Sequence, residues 1–186
     1  NANSGAAFLA YGGSNLPTFA TTVGGVTQIP LSRIGQTNGI AGLTVNGTTN
    51  FRTGFSVAGA GDFNGDGLAD IMIGSPGASN NAGEADLIYG RSVNSNPLTG
   101  TLTLGSIPAN INSLTFTGAN SGDLAGYSMT QVGNINSVSN GTNPVLIGAP
   151  GFNSLSGTAY LIPGNPGLTG TFNLSTVNSL PVGATQ

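Results

Sequence analysis

Apolar residues fall in short runs that alternate with polar ones, and each run is bounded by clusters of Gly, Pro, Asn and Ser. The runs are rich in Val, Ile, Leu, Thr and aromatics, the composition of half-buried strands. No window between the breakers sustains a 3.6-residue apolar period, so almost no helix is expected. One run occurs three times between glycines at constant length: Gly5–Gly12, Gly83–Gly90 and Gly157–Gly164. Alternation puts Ala7, Leu9 and Tyr11 on one face, matched by Ala85, Leu87 and Tyr89 and by Ala159, Leu161 and Pro163. That shared face is expected to be buried in all three. Glu84 and Asp86 occupy the other face, as do Ala6 and Phe8 and then Thr158 and Tyr160, which suggests the solvated face of an edge strand.

Other segments recur in the same order. Gly54-Phe55-Ser56-Val57 returns as Gly126-Tyr127-Ser128-Met129, and Ile71–Gly77 returns as Val145–Gly151. Leu43–Gly47 pairs with Leu114–Gly118, and Gly100–Leu104 with Gly170–Leu174. These correspondences divide the chain into the closing strand of a repeat (1–13), a repeat unit (14–90), a degenerate unit (91–164) and the opening of another (165–186). Recurring groups of short strands indicate an all-β fold of tandem four-stranded antiparallel blades, propeller-like or stacked. Closed propellers have typically four to eight blades and this chain supplies about two and a half, so an incomplete propeller or stacked β array is expected.

The first unit contains Asp62-Phe63-Asn64-Gly65-Asp66-Gly67-Leu68-Ala69-Asp70. Oxygen side chains stand first, third, fifth and ninth, a spacing that folds a short loop around one cation. Asp62, Asn64, Asp66 and Asp70 supply side-chain ligands, the Leu68 carbonyl adds another, and Gly67 permits the turn. Hard oxygen donors predict Ca2+, whereas zinc and copper favour the imidazoles or thiolates that this chain lacks. An EF-hand is excluded, because its twelfth position requires a bidentate Glu and here holds Ile73, and because a strand-like run follows instead of a helix. The remaining alternative is a polar turn that binds nothing.

Taken together, Gly54-Phe55-Ser56, Gly61–Asp70, Ile73–Gly77 and Leu87–Gly90 resemble the FG-GAP repeats of integrin α-subunit propellers and of secreted or surface-exposed bacterial proteins. The resemblance implies four-stranded propeller blades with Ca2+ in an interstrand loop, held by Asp62, Asn64, Asp66, Asp70 and the Leu68 carbonyl. It is weaker in the second unit. There Asn134, Asn136 and Ser137 replace the carboxylates and lead through an insertion to Asn143-Pro144, so one calcium per chain is expected.

Composition narrows the function. Cys, His, Lys and Trp are absent, 5% of residues are charged and the net charge is −3. Without His, Cys or Lys the chain cannot form a Ser-His-Asp triad, a thiol nucleophile or a Schiff-base lysine. Glu84 and Asp86 are the one carboxylate couple outside the loop to weigh as acid and base. Asp123, before Gly126-Tyr127, suits a turn or cap. No basic track for nucleic acid and no apolar run long enough to insert in a membrane is present in the residues given, nor is a signal peptide. Sequons occur at Asn46, Asn140 and Asn173. The expectation is a non-enzymatic extracellular or cell-surface structural or adhesive scaffold, stabilised by calcium. Its partners would be further repeats, other copies assembling head-to-tail into a fibre, or a surface protein or glycan. The alternative is an accessory propeller domain of a larger secreted hydrolase.

Overall fold

The computed structural model describes residues 2–14, 16–92, 94, 96–133, 135 and 141–179. The strands are β1 (Ala6–Ala10), β2 (Thr21–Val23), β3 (Val26–Gln28), β4 (Gly42–Asn46), β5 (Ser56–Gly61), β6 (Asp70–Ser75) and β7 (Glu84–Ile88). They continue with β8 (Gly100–Thr103), β9 (Ser113–Thr117), β10 (Ser128–Gln131), β11 (Val145–Ala149), β12 (Thr158–Ile162) and β13 (Gly170–Asn173). The fold is all-β and its sheets are open. Among the described residues, helix is confined to the short turns Ala78–Asn81 and Phe152–Leu155 and to 3-10 segments at Leu16–Phe19, Leu31–Arg33 and Leu174–Ser179.

Apart from the small β2–β3 hairpin, the strands form three sheets ordered β1-β4-β8, β13-β9-β7-β6-β5 and β10-β11-β12. In the middle sheet β5, β6, β7 and β9 run antiparallel in sequence, which is the expected four-stranded blade. A fifth strand, β13, is added in parallel to β9, and β8 adds in parallel to β4 in the same way. Thus β9, from the unit at 91–164, completes a sheet begun by β5–β7 of the unit at 14–90.

The sheets stack face to face. Register puts Met72 opposite Leu87 and Leu87 opposite Leu114, so these side chains share a face with Ala85 and Phe116. That face forms one core cluster with Val145, Ile147, Ala149 and Ile162 of the third sheet. The opposite face, with Ile73 and Ile88, packs on Ala7, Leu43, Val45 and Leu102 of the first sheet. Each fully buried aliphatic side chain contributes about 1.5–3 kcal/mol relative to exposure, so the two interfaces dominate stability. Along one side β10 runs against β5. There the repeated Phe55 and Tyr127 meet each other at a centroid separation of 4.6 Å, and the Ser56 hydroxyl donates to the Gly126 carbonyl at 2.7 Å. A side chain at Gly74 would come within 2.0 Å of that same carbonyl, so glycine is required where the repeats approach.

Two expectations are corrected by this stacking. β7 is not an edge strand, since β6 and β9 flank it, and Asp86 is 2% exposed because the first sheet covers its face. In the third sheet Ala159 and Leu161 are exposed, and the buried positions of β12 include Ile162 on the opposite face. The physical reason is shared: a strand's alternation marks two faces, and the neighbouring sheet decides which of them is covered.

Candidate metal centre

The loop between β5 and β6 is anchored before it turns. Phe63 is fully buried in the core shared with the third sheet and stacks on Tyr89 at 6.5 Å between centroids. Gly61 adopts φ +64°, and a side chain there would collide with Asn143. Asn143 belongs to the following unit and grips the loop twice. Its N–H donates to the Asp62 carbonyl at 2.7 Å, and its Oδ1 accepts from the Asp62 N–H at 2.8 Å.

The Asp62 carboxylate organises the turn that follows. Oδ1 accepts from the N–H groups of Gly65 and Asp66 at 2.7 and 3.0 Å, and Oδ2 from that of Gly67 at 2.8 Å. Asn64 Oδ1 accepts from the Asp66 N–H, and its Nδ2 donates to Asp66 Oδ2 at 2.9 Å. The Leu68 N–H donates to Asp66 Oδ1 at 2.8 Å. Asp70 is buried and spans two elements: Oδ2 accepts from the Phe63 N–H at 2.8 Å and Oδ1 from the Gly90 N–H at 2.7 Å.

Burial raises the Asp70 pKa, and the nearby charges of Asp66 and Asp62 add to the rise, while the two backbone donors oppose it. A cation would relieve that repulsion. Among the described residues, however, no group of three or more acidic, His or Cys side chains stands close enough to form a ready-made metal cluster. Each loop carboxylate is directed at backbone N–H groups instead. A carboxylate oxygen that accepts one such bond retains a second lone pair, so the donor set fits a hard cation chemically. Here Asp62, Asn64, Asp66, Leu68 and Asp70 would be the residues to hold it.

The second unit offers little to compare. Asn134, Asn136 and Ser137 lie outside the described residues, and Pro144 stands where the first unit has Asp70. Of the sequons, Asn46 is exposed on β4, Asn140 lies outside the described residues, and Asn173 is half-buried with its Nδ2 donating to the Gly118 carbonyl at 3.0 Å. Asp123 has the expected turn role, accepting from the Asn120 N–H at 2.8 Å.

The role of Asn143 was not predicted from the sequence. The signal that would have found it is the coincidence of its position, immediately before the Pro144–Val145 strand entry, with the end of the metal loop in the other unit.

A family model described as the FG-GAP repeat matches residues 53–89, which contain the loop and β5 to β7. No curated protein matches the chain. The match covers one repeat of the chain and, together with the open stacked sheets, supports a β-propeller-like scaffold.

Proposed function

We propose that this chain is a non-enzymatic extracellular or cell-surface scaffold of secreted bacterial type, in which Ca2+ at residues 62–70 stiffens the junction between successive repeats. The observation that carries the reading is the position of the loop. It links β5 to β6, reaches Gly90 beyond β7 through Asp70, and is held by Asn143 of the next unit. An ion bound there would tie four segments of two repeats together. Adhesive contacts and head-to-tail assembly with further repeats or other copies fit the two end sheets, which leave Phe8 and Leu161 42% and 44% exposed. The surface carries few charges to desolvate in such contacts.

The carboxylates outside the loop support the non-catalytic reading. Asp86 is sealed between sheets, with Oδ1 accepting from the Thr115 hydroxyl at 2.7 Å, and Glu84 accepts from Ser79 at 3.0 Å. The test is thermal unfolding in millimolar calcium and in chelator. A ligand at about a hundred times its Kd adds about 2.7 kcal/mol, roughly 5–10 °C for a chain of this size. Identical curves would remove the calcium part of the proposal, and specific turnover in a glycosidase screen would remove the scaffold part.

A further inference from the structure

Nine of the eleven non-glycine residues with positive φ among the described residues line two clefts at equivalent places in successive repeats. In the first, the segment 49–52 before β5 faces the turn 77–81 between β6 and β7. In the second, the segment 120–123 before β10 faces the turn 151–155 between β11 and β12. The backbone frame is the same in both. The Gly77 N–H donates to the Phe51 carbonyl at 3.0 Å as that of Gly151 does to Asp123 at 3.0 Å, and the Arg52 N–H donates to the Asn3 carbonyl at 2.9 Å as that of Leu124 does to Asn81 at 2.9 Å. The second cleft stands with the preceding turn 77–81 in place, and the first with the following segment 120–124 in place, where the Ser121 hydroxyl donates to the Asn80 carbonyl at 2.8 Å. A neighbouring repeat on either side therefore leaves the cleft uncovered. Left-handed backbone is costly outside glycine and collects at sites that clamp ligands.

The side chains differ where the backbones agree. The first cleft, of about 620 Å³, has Arg52 as the one charged side chain of its lining, together with the half-buried Phe51 and the amides of Asn3, Asn50, Asn80 and Asn81. In the second, of about 440 Å³, Leu124, Asp123 and Leu155 replace Arg52, Phe51 and Asn81. Arg52 Nη2 donates to Asn81 Oδ1 at 3.0 Å, which uses one of the several N–H donors of the guanidinium. Gly77 lies against it: a side chain there would come within 3.0 Å of Arg52 Nε and 2.0 Å of the Asn50 carbonyl, so this wall of the cleft requires glycine. Ser79 is committed elsewhere, its hydroxyl donating to Glu84 Oε1 at 3.0 Å.

We propose that the first cleft binds an acidic sugar, a hexuronic acid unit of a glycan chain, with its carboxylate on Arg52. A guanidinium edge matches a carboxylate with two parallel hydrogen bonds. Amide side chains both donate and accept, as sugar hydroxyls do, and the Phe51 ring offers an apolar surface to the C–H face of a pyranose. The volume is in the range of small-ligand sites. The second cleft lacks the guanidinium, the ring and one of the amides, and its Asp123 carboxylate would repel the same ligand. The inference deepens the adhesive part of the scaffold reading and rests on it. It is independent of the calcium loop, which lies at the other end of β5.

The probe is a glucuronic acid trisaccharide, titrated into the whole isotope-labelled chain and followed by backbone amide shifts. Saturable shifts centred on residues 49–52 and 77–81 are expected, with a Kd on the order of 0.1–1 mM. The uncharged methyl ester of the trisaccharide should bind about tenfold more weakly, and so should the acid to Arg52→Gln. Arg52 is exposed, so the variant should fold, and its melting curve checks this. Asn80→Asp keeps a residue that tolerates the left-handed backbone and adds a charge that repels the carboxylate, so it should weaken binding of the acid and leave that of the ester unchanged. Asn153→Asp in the second cleft, and Arg33→Gln at the arginine that lies over Phe19, should leave binding unchanged. Absence of saturable binding, equal binding by the methyl ester, or an equal loss in Arg33→Gln overturns the site. Shifts reproduced by sodium acetate at the same concentration would assign an anion site only and overturn the sugar as ligand. None of these results bears on the calcium melts or the glycosidase screen, which test the scaffold reading separately.

Discussion

Asn143 and Asp62 are joined by two reciprocal hydrogen bonds, backbone N–H to carbonyl at 2.7 Å and side-chain Oδ1 from N–H at 2.8 Å, across two repeats. Asn143→Leu keeps similar size but removes the acceptor for the Asp62 N–H, which then lies half-buried without its partner. The expected loss is about 1–3 kcal/mol in chelator. In calcium the loss should be larger, since Asp62 would be less well positioned. Denaturant melts under both conditions measure the two quantities, and a calcium increment unchanged by the substitution would separate Asn143 from the metal loop.

Asp66 and Asp70 should respond differently although both are proposed ligands. Asp66 is exposed, and its bonds are confined to the turn. Asp66→Ala is therefore expected to erase most of the difference between calcium and chelator while changing the chelator melt little. Asp70 also holds the N–H groups of the buried Phe63 and the half-buried Gly90. Asp70→Ala leaves a buried and a half-buried donor unpaired and should cost roughly 2–4 kcal/mol with or without calcium. Equal effects of the two substitutions would count against this division of roles.

The strands and the repeat were legible in the sequence because their signals are local. Glycine-bounded alternation marks Ala6–Ala10, Glu84–Ile88 and Thr158–Ile162 without any knowledge of neighbours. Burial was legible only in part, because it depends on stacking. Ala85 and Leu87 are buried as the pattern indicates, but so is Asp86 on the opposite face, while Leu161 is exposed. The loop residues 62–70 were found from their spacing, whereas their backbone partners were not. Gly90 and Asn143 reach the loop through the closure of sheets and repeats, which no local window contains.

Asp86 gives a pH signature. Burial pushes its pKa from 3.8 up to about 7, with the Thr115 hydroxyl opposing the rise and the Glu84 charge adding to it, and Oδ2 is buried without a hydrogen-bond partner. Between the ordinary value and about 7 the folded chain retains a proton that the unfolded chain has lost. This group's contribution to stability is thus full at low pH and declines as pH rises through that window. Asp86→Asn mimics the neutral form, so it should be nearly neutral at pH 3 and increasingly stabilising as pH rises to 8, by on the order of 4 kcal/mol at the upper end. Denaturant midpoints at the two values provide the check. A variant that is less stable at pH 8 would show that the buried carboxylate has a partner that favours its charge.

The turn at 151–157 stores strain that one substitution should release. Leu155 has φ +73°, follows Asn153 and Ser154 at +48° and +58°, and is 81% exposed. The same position before the strand glycine is Asn81 in the preceding unit and Asn3 before that, at +63° and +53°. Asparagine tolerates this left-handed conformation because its short polar side chain bonds locally, whereas leucine incurs about 1–2 kcal/mol from its Cβ. Leu155→Asn should therefore raise stability by about 1 kcal/mol, or roughly 2–4 °C in Tm. The reverse change, Asn81→Leu, should lose at least as much, since it also removes the Asn81 Oδ1 acceptor of Arg52 Nη2 at 3.0 Å. Thermal melts of the two variants decide the matter. If Leu155→Asn is destabilising, the leucine contributes through contacts that outweigh its backbone strain.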